Sequence, residues 1–205
     1  MNKFSKPLLI ATAIVAAIVG ALLAQYMTAE PPPPPLANGT VLTPAKSVPA
    51  FELIDDRNAR FDNSRLRGHW SLVFFGFTHC PYVCPTTLAM LANMGKSFDA
   101  GQPAPQVVFV SVDTKRDTPE VIKTYLQHID PKFIGVTGEQ AQLEALTKAL
   151  GVPFAIRPLA NGDYAVDHSS AILAIDPKGR FHAVFTPPQT PEGVAHDMRL
   201  LMGTS

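Results

Sequence analysis

The sequence predicts an α/β domain that follows one apolar N-terminal helix. Three short apolar runs, at residues 72–77, 107–112 and 171–175, are predicted to be buried strands. Amphipathic segments of helical length lie between them, and this alternation is typical of α/β sandwiches. Roughly 170 residues follow the N-terminal segment, which is enough for one domain with a sizeable core.

The N-terminal segment is long and apolar enough to cross a membrane. Residues 7–29 carry no charge, and as a helix they would extend roughly 34 Å. Lys3 and Lys6 precede this stretch and the next basic residue is Lys46, so the positive-inside rule places residues 1–6 in the cytoplasm. We expect a retained single-pass anchor in the inner (cytoplasmic) membrane, with the following domain in the periplasm. A cleaved signal peptide is the alternative.

The residues after this segment divide into a linker and one domain of balanced charge. Pro31–Pro35 form an unbroken proline run, which favours polyproline II geometry and cannot join a packed core. We therefore predict a proline-rich linker at residues 30–40 and a domain at residues 41–205. Seventeen basic and seventeen acidic residues cancel, so charge gives no reason to expect nucleic-acid binding.

Capping signals indicate where three helices begin. Thr118-Pro119-Glu120 supplies an N-cap, a proline at the first helical position and an acid in the first turn, and Thr190-Pro191-Glu192 repeats the pattern. Thr137, with Gln140 three residues later, resembles a capping box, and Gly151 is suited to end that helix.

Two turn signals predict β-hairpins. Asn161-Gly162 lies between two short strand-like segments, and Pro177-Lys178-Gly179 follows the last apolar run. The first hairpin would be an insertion before the strand that starts at Ala171.

The two cysteines of the chain give it the potential for redox or metal chemistry. Cys80 and Cys84 follow the first apolar strand, and each precedes a proline. Because proline disfavours the α conformation in the residue before it, we expect a helix to begin at Pro85 with Cys84 as its N-cap. The helix dipole would then lower the pKa of Cys84 and favour a thiolate. A purely structural disulfide is less favoured, because so short a loop constrains the unfolded chain little.

A strand, a dithiol loop and a helix after the second cysteine resemble the active-site arrangement of the thioredoxin fold. The resemblance narrows to the Sco/SenC family in three blocks: Phe75–Pro85, Val110–Asp113 with Arg116–Pro119, and Asp167–Ser170. It covers the chain from about Pro49 onward. It implies a membrane-anchored, thioredoxin-like copper protein that helps to assemble the CuA centre of cytochrome c oxidase. It also places the copper ligands on Cys80, Cys84 and His168.

This implied ligand set suits one copper ion per domain. Soft thiolates select Cu(I), and the imidazole keeps Cu(II) accessible. Three ligands leave room for metal exchange, whereas structural zinc favours a closed tetrahedral site. The implied partners are the CuA subunit, an upstream copper donor and a reductant for the Cys80–Cys84 disulfide.

Other residues near the motifs have weaker indications. Asp113 ends a predicted strand, where we expect it either to orient a ligand by hydrogen bonding or to shape the turn. His79 adjoins Cys80, but the side chain of an adjacent residue usually points elsewhere. Met90 and Met94 lie one helical turn apart, which is more typical of core packing than of copper binding.

The same dithiol leaves two other functions open. A thiol–disulfide oxidoreductase would use Cys80 and Cys84 to reduce cysteines of an oxidase subunit or another exported protein. Such enzymes usually carry a proline near the dithiol, where this chain has Asp167–Ser170, and this substitution favours metal binding. A peroxidase of the peroxiredoxin or glutathione-peroxidase type would instead rely on one peroxidatic cysteine. Copper delivery is the favoured interpretation, and it does not exclude reductase activity.

Overall fold

The computed structural model describes residues 6–28, 35–98, 101, 103–159 and 163–203. The chain divides into two units, Met1–Pro33 and Pro34–Ser205. The predicted turn at Asn161-Gly162 and most of the proline run lie outside the described residues.

Helix α1, Lys6–Thr28, is the described part of the first unit. Its span Leu8–Gln25 contains no buried residue and is long and apolar enough to cross a membrane. A retained anchor and a signal sequence both have this length and composition.

The second unit contains ten strands and four α-helices among its described residues. The strands are β1 (Gly39–Ser47), β2 (Glu52–Asp55), β3 (Arg60–Asp62), β4 (Ser71–Gly76), β5 (Gln106–Ser111), β6 (Ile134–Thr137), β7 (Ala155–Pro158), β8 (Tyr164–Asp167), β9 (Ile172–Ile175) and β10 (Arg180–Phe185). The helices are α2 (Val83–Gly95), α3 (Pro119–Gln127), α4 (Gln140–Ala149) and α5 (Pro191–Gly203).

The predicted apolar strands occupy the centre of an eight-stranded sheet with the order β1-β10-β9-β4-β5-β6-β2-β3. Strands β4 and β5 are parallel, and β9 is antiparallel to β4. Every residue of β4 and β9 is buried, which explains why each strand is a continuous apolar run rather than an alternating one.

Two of the three predicted threonine N-caps are present. The hydroxyl of Thr118 accepts a hydrogen bond from the Val121 N–H at 3.4 Å, and that of Thr190 accepts one from Gly193 at 3.1 Å. The predicted capping box at Thr137 was wrong. Thr137 belongs to β6, where it pairs with Ile54 of β2, and the N-cap of α4 is Glu139.

Both predicted hairpins form, and four strands have no counterpart in the sequence prediction. Strands β7 and β8 pair as a separate two-stranded sheet, and β9 and β10 form the second hairpin, in which Gly179 adopts φ 76°. The unpredicted strands are β1, β2, β3 and β6. Strand β1 begins at Gly39, inside the segment predicted as linker, and it contains Pro44, which is tolerated because β1 is an edge strand.

Candidate metal centre

The dithiol lies where the central sheet meets the first turn of α2. Strand β4 ends at Gly76 and α2 begins at Val83, with Tyr82 as its N-cap. The helix therefore starts before Pro85, contrary to the prediction from the prolines. The first helical N–H groups have no intrahelical acceptor, so Pro85 removes no helical hydrogen bond, and Thr86 already donates to the Tyr82 carbonyl at 3.2 Å.

This earlier start places Cys84 inside the first turn with a fully buried side chain. Burial raises the pKa of the Cys84 thiol, and the nearby Cys80 thiol and Asp117 carboxylate add to the increase. An opposing hydrogen bond from the backbone of Phe77 is too weak to reverse it. The predicted lowering of the pKa at the helix N-terminus is therefore wrong, because desolvation of the thiolate outweighs the helix dipole.

Cys80 is the more accessible of the two thiols. It is partly exposed, and its Sγ accepts a hydrogen bond from the Cys84 N–H at 3.4 Å. The neighbouring Tyr82 is 78% exposed, and Val83 is also exposed. A molecule that reaches this surface therefore meets Cys80 before Cys84.

His168 approaches the dithiol from the end of β8. Its Nε2 atom lies 3.4 Å from the Cys84 Sγ, and its Nδ1 lies 2.9 Å from the carbonyl oxygen of Ser169. Because a carbonyl can only accept, Nδ1 donates this hydrogen bond, and in a neutral ring the Nε2 lone pair then faces the thiol. The rings of Phe74 and Phe77 pack edge-on against the imidazole, with centroids 6.0 and 5.6 Å away.

The sequence-predicted ligands therefore converge. The candidate ligand atoms of Cys80, Cys84 and His168 all lie within 4.8 Å of one another. In the described part of the chain, no other group of three His, Cys, Asp or Glu side chains meets so closely. Two sulfurs and one imidazole nitrogen form a donor set that fits copper.

Asp113 is close to this site, but its carboxylate contacts no predicted ligand. Its buried carboxylate accepts hydrogen bonds from the Arg116 Nε at 2.5 Å and from the Tyr164 hydroxyl at 2.6 Å. Burial and the bond to Asp113 raise the pKa of Tyr164 to about 12, so the phenol is a hydrogen-bond donor at neutral pH.

Asp117 has a structural role that the sequence analysis did not predict. Its buried carboxylate accepts from the Thr78 N–H at 2.8 Å, from the Thr78 hydroxyl at 2.6 Å and from the Ser111 hydroxyl at 2.5 Å. These bonds fasten the loop before Cys80 to the end of β5. Asp117 and Ser111 both lie in the second block of the family resemblance, and this position was the only sequence signal that could have indicated their role.

The weaker ligand candidates lie outside the cluster. The side chain of His79 is 54% exposed, and its Nδ1 contacts the Thr78 hydroxyl at 3.1 Å. Met94 is fully buried in the hydrophobic core, and the partly buried Met90 packs against the same core.

Comparison with known proteins gives this arrangement its context. Residues 40–203 match the profile of the family described as SCO1/SenC. The chain belongs to the SCO1/SenC family. A SCO2-like protein of Rickettsia prowazekii is 43% identical over 133 residues, which cover 64% of this chain and 65% of that protein.

Two solved structures of SCO1/SenC-type proteins are also similar. Bradyrhizobium japonicum ScoI with copper bound is 36% identical, with a TM-score of 0.64 and coverage of 75% of this chain and 99% of that one. Arabidopsis thaliana ScoI with copper bound is 30% identical, with a TM-score of 0.68 and coverage of 74% and 97%. The predicted family and its thioredoxin-like fold with an inserted hairpin are thereby confirmed.

Proposed function

We propose that this SCO1/SenC protein is a membrane-anchored copper metallochaperone that binds one copper ion through Cys80, Cys84 and His168. The convergence of their ligand atoms within 4.8 Å carries the proposal. The B. japonicum and A. thaliana relatives, both described with copper bound, support it.

The site is suited to hold copper and to release it. Copper binding would displace the proton of the buried Cys84, because a coordinating thiol is deprotonated by the metal. The Nε2 atom of His168 already faces this sulfur at 3.4 Å. Partial exposure of Cys80 gives a partner access to one edge of the site, so copper can pass to new ligands without unfolding of the domain.

The proposed acceptor is the CuA subunit of cytochrome c oxidase, and the family resemblance supports this assignment. We further propose that residues 7–29 hold the protein in the inner membrane, with the domain in the periplasm. Both cysteines are free in the structure, and copper would load on this reduced form. An upstream copper donor and a thiol reductant are therefore the other expected partners.

Anaerobic copper titration tests the ligand assignment. The reduced full-length protein in detergent, and its variants Cys80→Ala, Cys84→Ala and His168→Ala, would be titrated while bound copper and Cu(II)–thiolate absorption are measured. His79→Ala is the matched control, because His79 adjoins Cys80 but lies outside the cluster. We expect one copper per chain for wild type and His79→Ala, and affinity at least about tenfold weaker for the other three. A wild-type protein without copper affinity would overturn the proposal.

A thiol–disulfide reductase is the second candidate, favoured by the exposure difference between the cysteines. Cys80 would attack a partner disulfide to give a mixed disulfide, and Cys84 would resolve it, which leaves a Cys80–Cys84 disulfide and a reduced partner. A wild-type protein that binds no copper in the titration, yet reduces a model disulfide through Cys80, would establish this function instead.

A further inference from the structure

The hairpin that precedes His168 is not part of the main sheet. Strands β7 and β8 form their own two-stranded sheet, and all four residues of β7 are exposed. His168 directly follows Asp167, the last residue of β8. The position of the imidazole therefore depends on how this hairpin is held against the domain.

A hydrogen bond between Tyr164 and Asp113 joins the hairpin to the sheet. Tyr164 is the first residue of β8, and its hydroxyl donates to Asp113 at 2.6 Å. Asp113 lies just beyond β5. The preceding residue, Val112, donates its N–H to the Gly76 carbonyl at 2.9 Å, and this bond places Asp113 beside the end of β4. The dithiol loop leaves the sheet at this same end of the central strands, after Gly76.

Arg116 completes this contact from above the tyrosine ring. Its guanidinium carbon lies 3.9 Å from the Tyr164 ring centroid, while its Nε donates to Asp113. The same guanidinium is 5.9 Å from the centroid of Phe77, the ring that packs against His168. Arg116 therefore touches the hairpin, the buried carboxylate and the wall of the metal site.

The ion pair between Arg157 and Asp167 does not provide an equivalent attachment. It joins β7 to β8 at 3.1 Å, with both side chains well exposed, and an exposed pair of this kind contributes little. It ties the two strands of the hairpin to each other rather than to the domain. The pair offers a control on the same hairpin.

We propose that Asp113, Arg116 and Tyr164 form a hairpin clamp, a set of positioning residues that hold His168 against Cys84. The inference rests on the proposed function, because it assigns these residues to the third copper ligand. Loss of the Tyr164 hydroxyl would leave the buried Asp113 carboxylate short of one donor and release the start of β8. His168 would then sample positions away from the thiols, and copper would bind more weakly.

A double-mutant cycle separates this role from a general effect on folding. The variants Tyr164→Phe and Arg116→Gln would be made in the wild-type and His168→Ala backgrounds of the full-length protein, with Arg157→Gln as control. Copper affinity would be measured by competition with a chelator. We expect each clamp variant to weaken binding about 10–100-fold in the wild-type background, and less than about twofold where His168 is absent. The control should leave affinity unchanged.

Hydrogen exchange of the copper-free protein gives a readout that does not depend on metal binding. Tyr164→Phe should accelerate exchange of the backbone amides in β7 and β8 and leave those of β4 protected. Equal losses of affinity in both backgrounds, or unchanged affinity and exchange, would overturn the clamp. A wild-type protein that binds no copper would overturn the proposed function instead, and unchanged hairpin exchange would still contradict the clamp.

Discussion

Cys80 and Cys84 differ in exposure although they are close in sequence, and this difference divides their roles at the residue scale. The buried Cys84 has a raised pKa, so its thiol keeps its proton until a metal or an oxidant arrives. The partly exposed Cys80 is the thiol that a partner meets first. Gly76 makes this arrangement possible, because a Cβ at that position would lie 2.6 Å from the Cys84 Sγ.

Substitution of Gly76 by alanine should therefore damage the site. The added Cβ would also lie 2.9 Å from the Phe109 ring, so Cys84 must shift or the strands must separate. We expect Gly76→Ala to lower the free energy of unfolding by about 1–3 kcal/mol and to weaken copper binding. Urea unfolding and copper titration would measure the two effects.

Gly95, at the end of α2, is the matched control, because a Cβ there would have no atom within 4 Å. Gly95→Ala should leave copper binding intact and change stability by at most about 1 kcal/mol, in the stabilising direction. Equal behaviour of the two variants would contradict the packing argument.

At the scale of elements, buried carboxylates fasten segments that are distant in the chain. Asp117 joins the loop before Cys80 to β5. Asp197, on α5, accepts backbone hydrogen bonds from Ala37, Asn38 and Gly39 at 2.7–2.9 Å. This second contact fixes the start of β1 against the C-terminal helix.

Asp197 should make stability depend on pH. Burial alone would raise its pKa, but the three backbone N–H groups, together with His196, lower it below the ordinary value of 3.8. A lowered folded-state pKa means that the stabilisation is present above the unfolded-state value and is lost as pH falls through the folded-state value. We expect Asp197→Asn to lower the free energy of unfolding by about 1–3 kcal/mol at pH 7, and by less at pH 3.

Urea unfolding at pH 7 and pH 3, followed by fluorescence of the single tryptophan, Trp70, would check this expectation. The control is Asp130→Asn, whose side chain accepts one exposed backbone N–H, that of Lys132. An Asp197→Asn effect that stays constant between the two pH values would contradict the assigned role of the charge.

At the scale of the whole molecule, an apolar helix precedes a domain that contains the candidate metal centre. The 17 basic and 17 acidic residues leave no net charge with His neutral, so long-range attraction to an acidic or basic partner is not expected. Attachment to a membrane would instead keep the protein near a membrane-bound copper acceptor. In the proposed function, localisation would therefore depend on the apolar α1.

Charges placed in α1 should release the protein from membranes. Each lysine at the centre of a membrane span costs roughly 2.5–3.5 kcal/mol, so Ile14→Lys combined with Ile18→Lys should prevent stable insertion. We expect the wild-type chain to remain in the membrane fraction after alkaline washing and the double variant to be extracted. Ile14→Leu with Ile18→Leu is the control, and a soluble wild-type product that lacks residues 7–29 would show cleavage instead.

Much of the fold could be predicted from local signals. Continuous apolar runs identified the central strands, Thr118 and Thr190 marked helix starts, and turn residues identified both hairpins. Strands β1, β2, β3 and β6 escaped prediction because β1 contains Pro44 and the other three are short, and such segments carry little hydrophobic periodicity. The predicted capping box at Thr137 is absent because this residue is the end of strand β6 and pairs with β2.

The sequence by itself determined where the central apolar strands lie along the chain, the spacing of the two thiols and the apolar N-terminal helix. These properties depend on neighbouring residues. His168 became a ligand candidate through the family resemblance. Only the tertiary structure decided that its Nε2 faces Cys84, that burial keeps this thiol protonated, and that Asp113 binds Tyr164. These contacts join residues that are far apart in the chain, and their strength depends on desolvation, which folding alone creates.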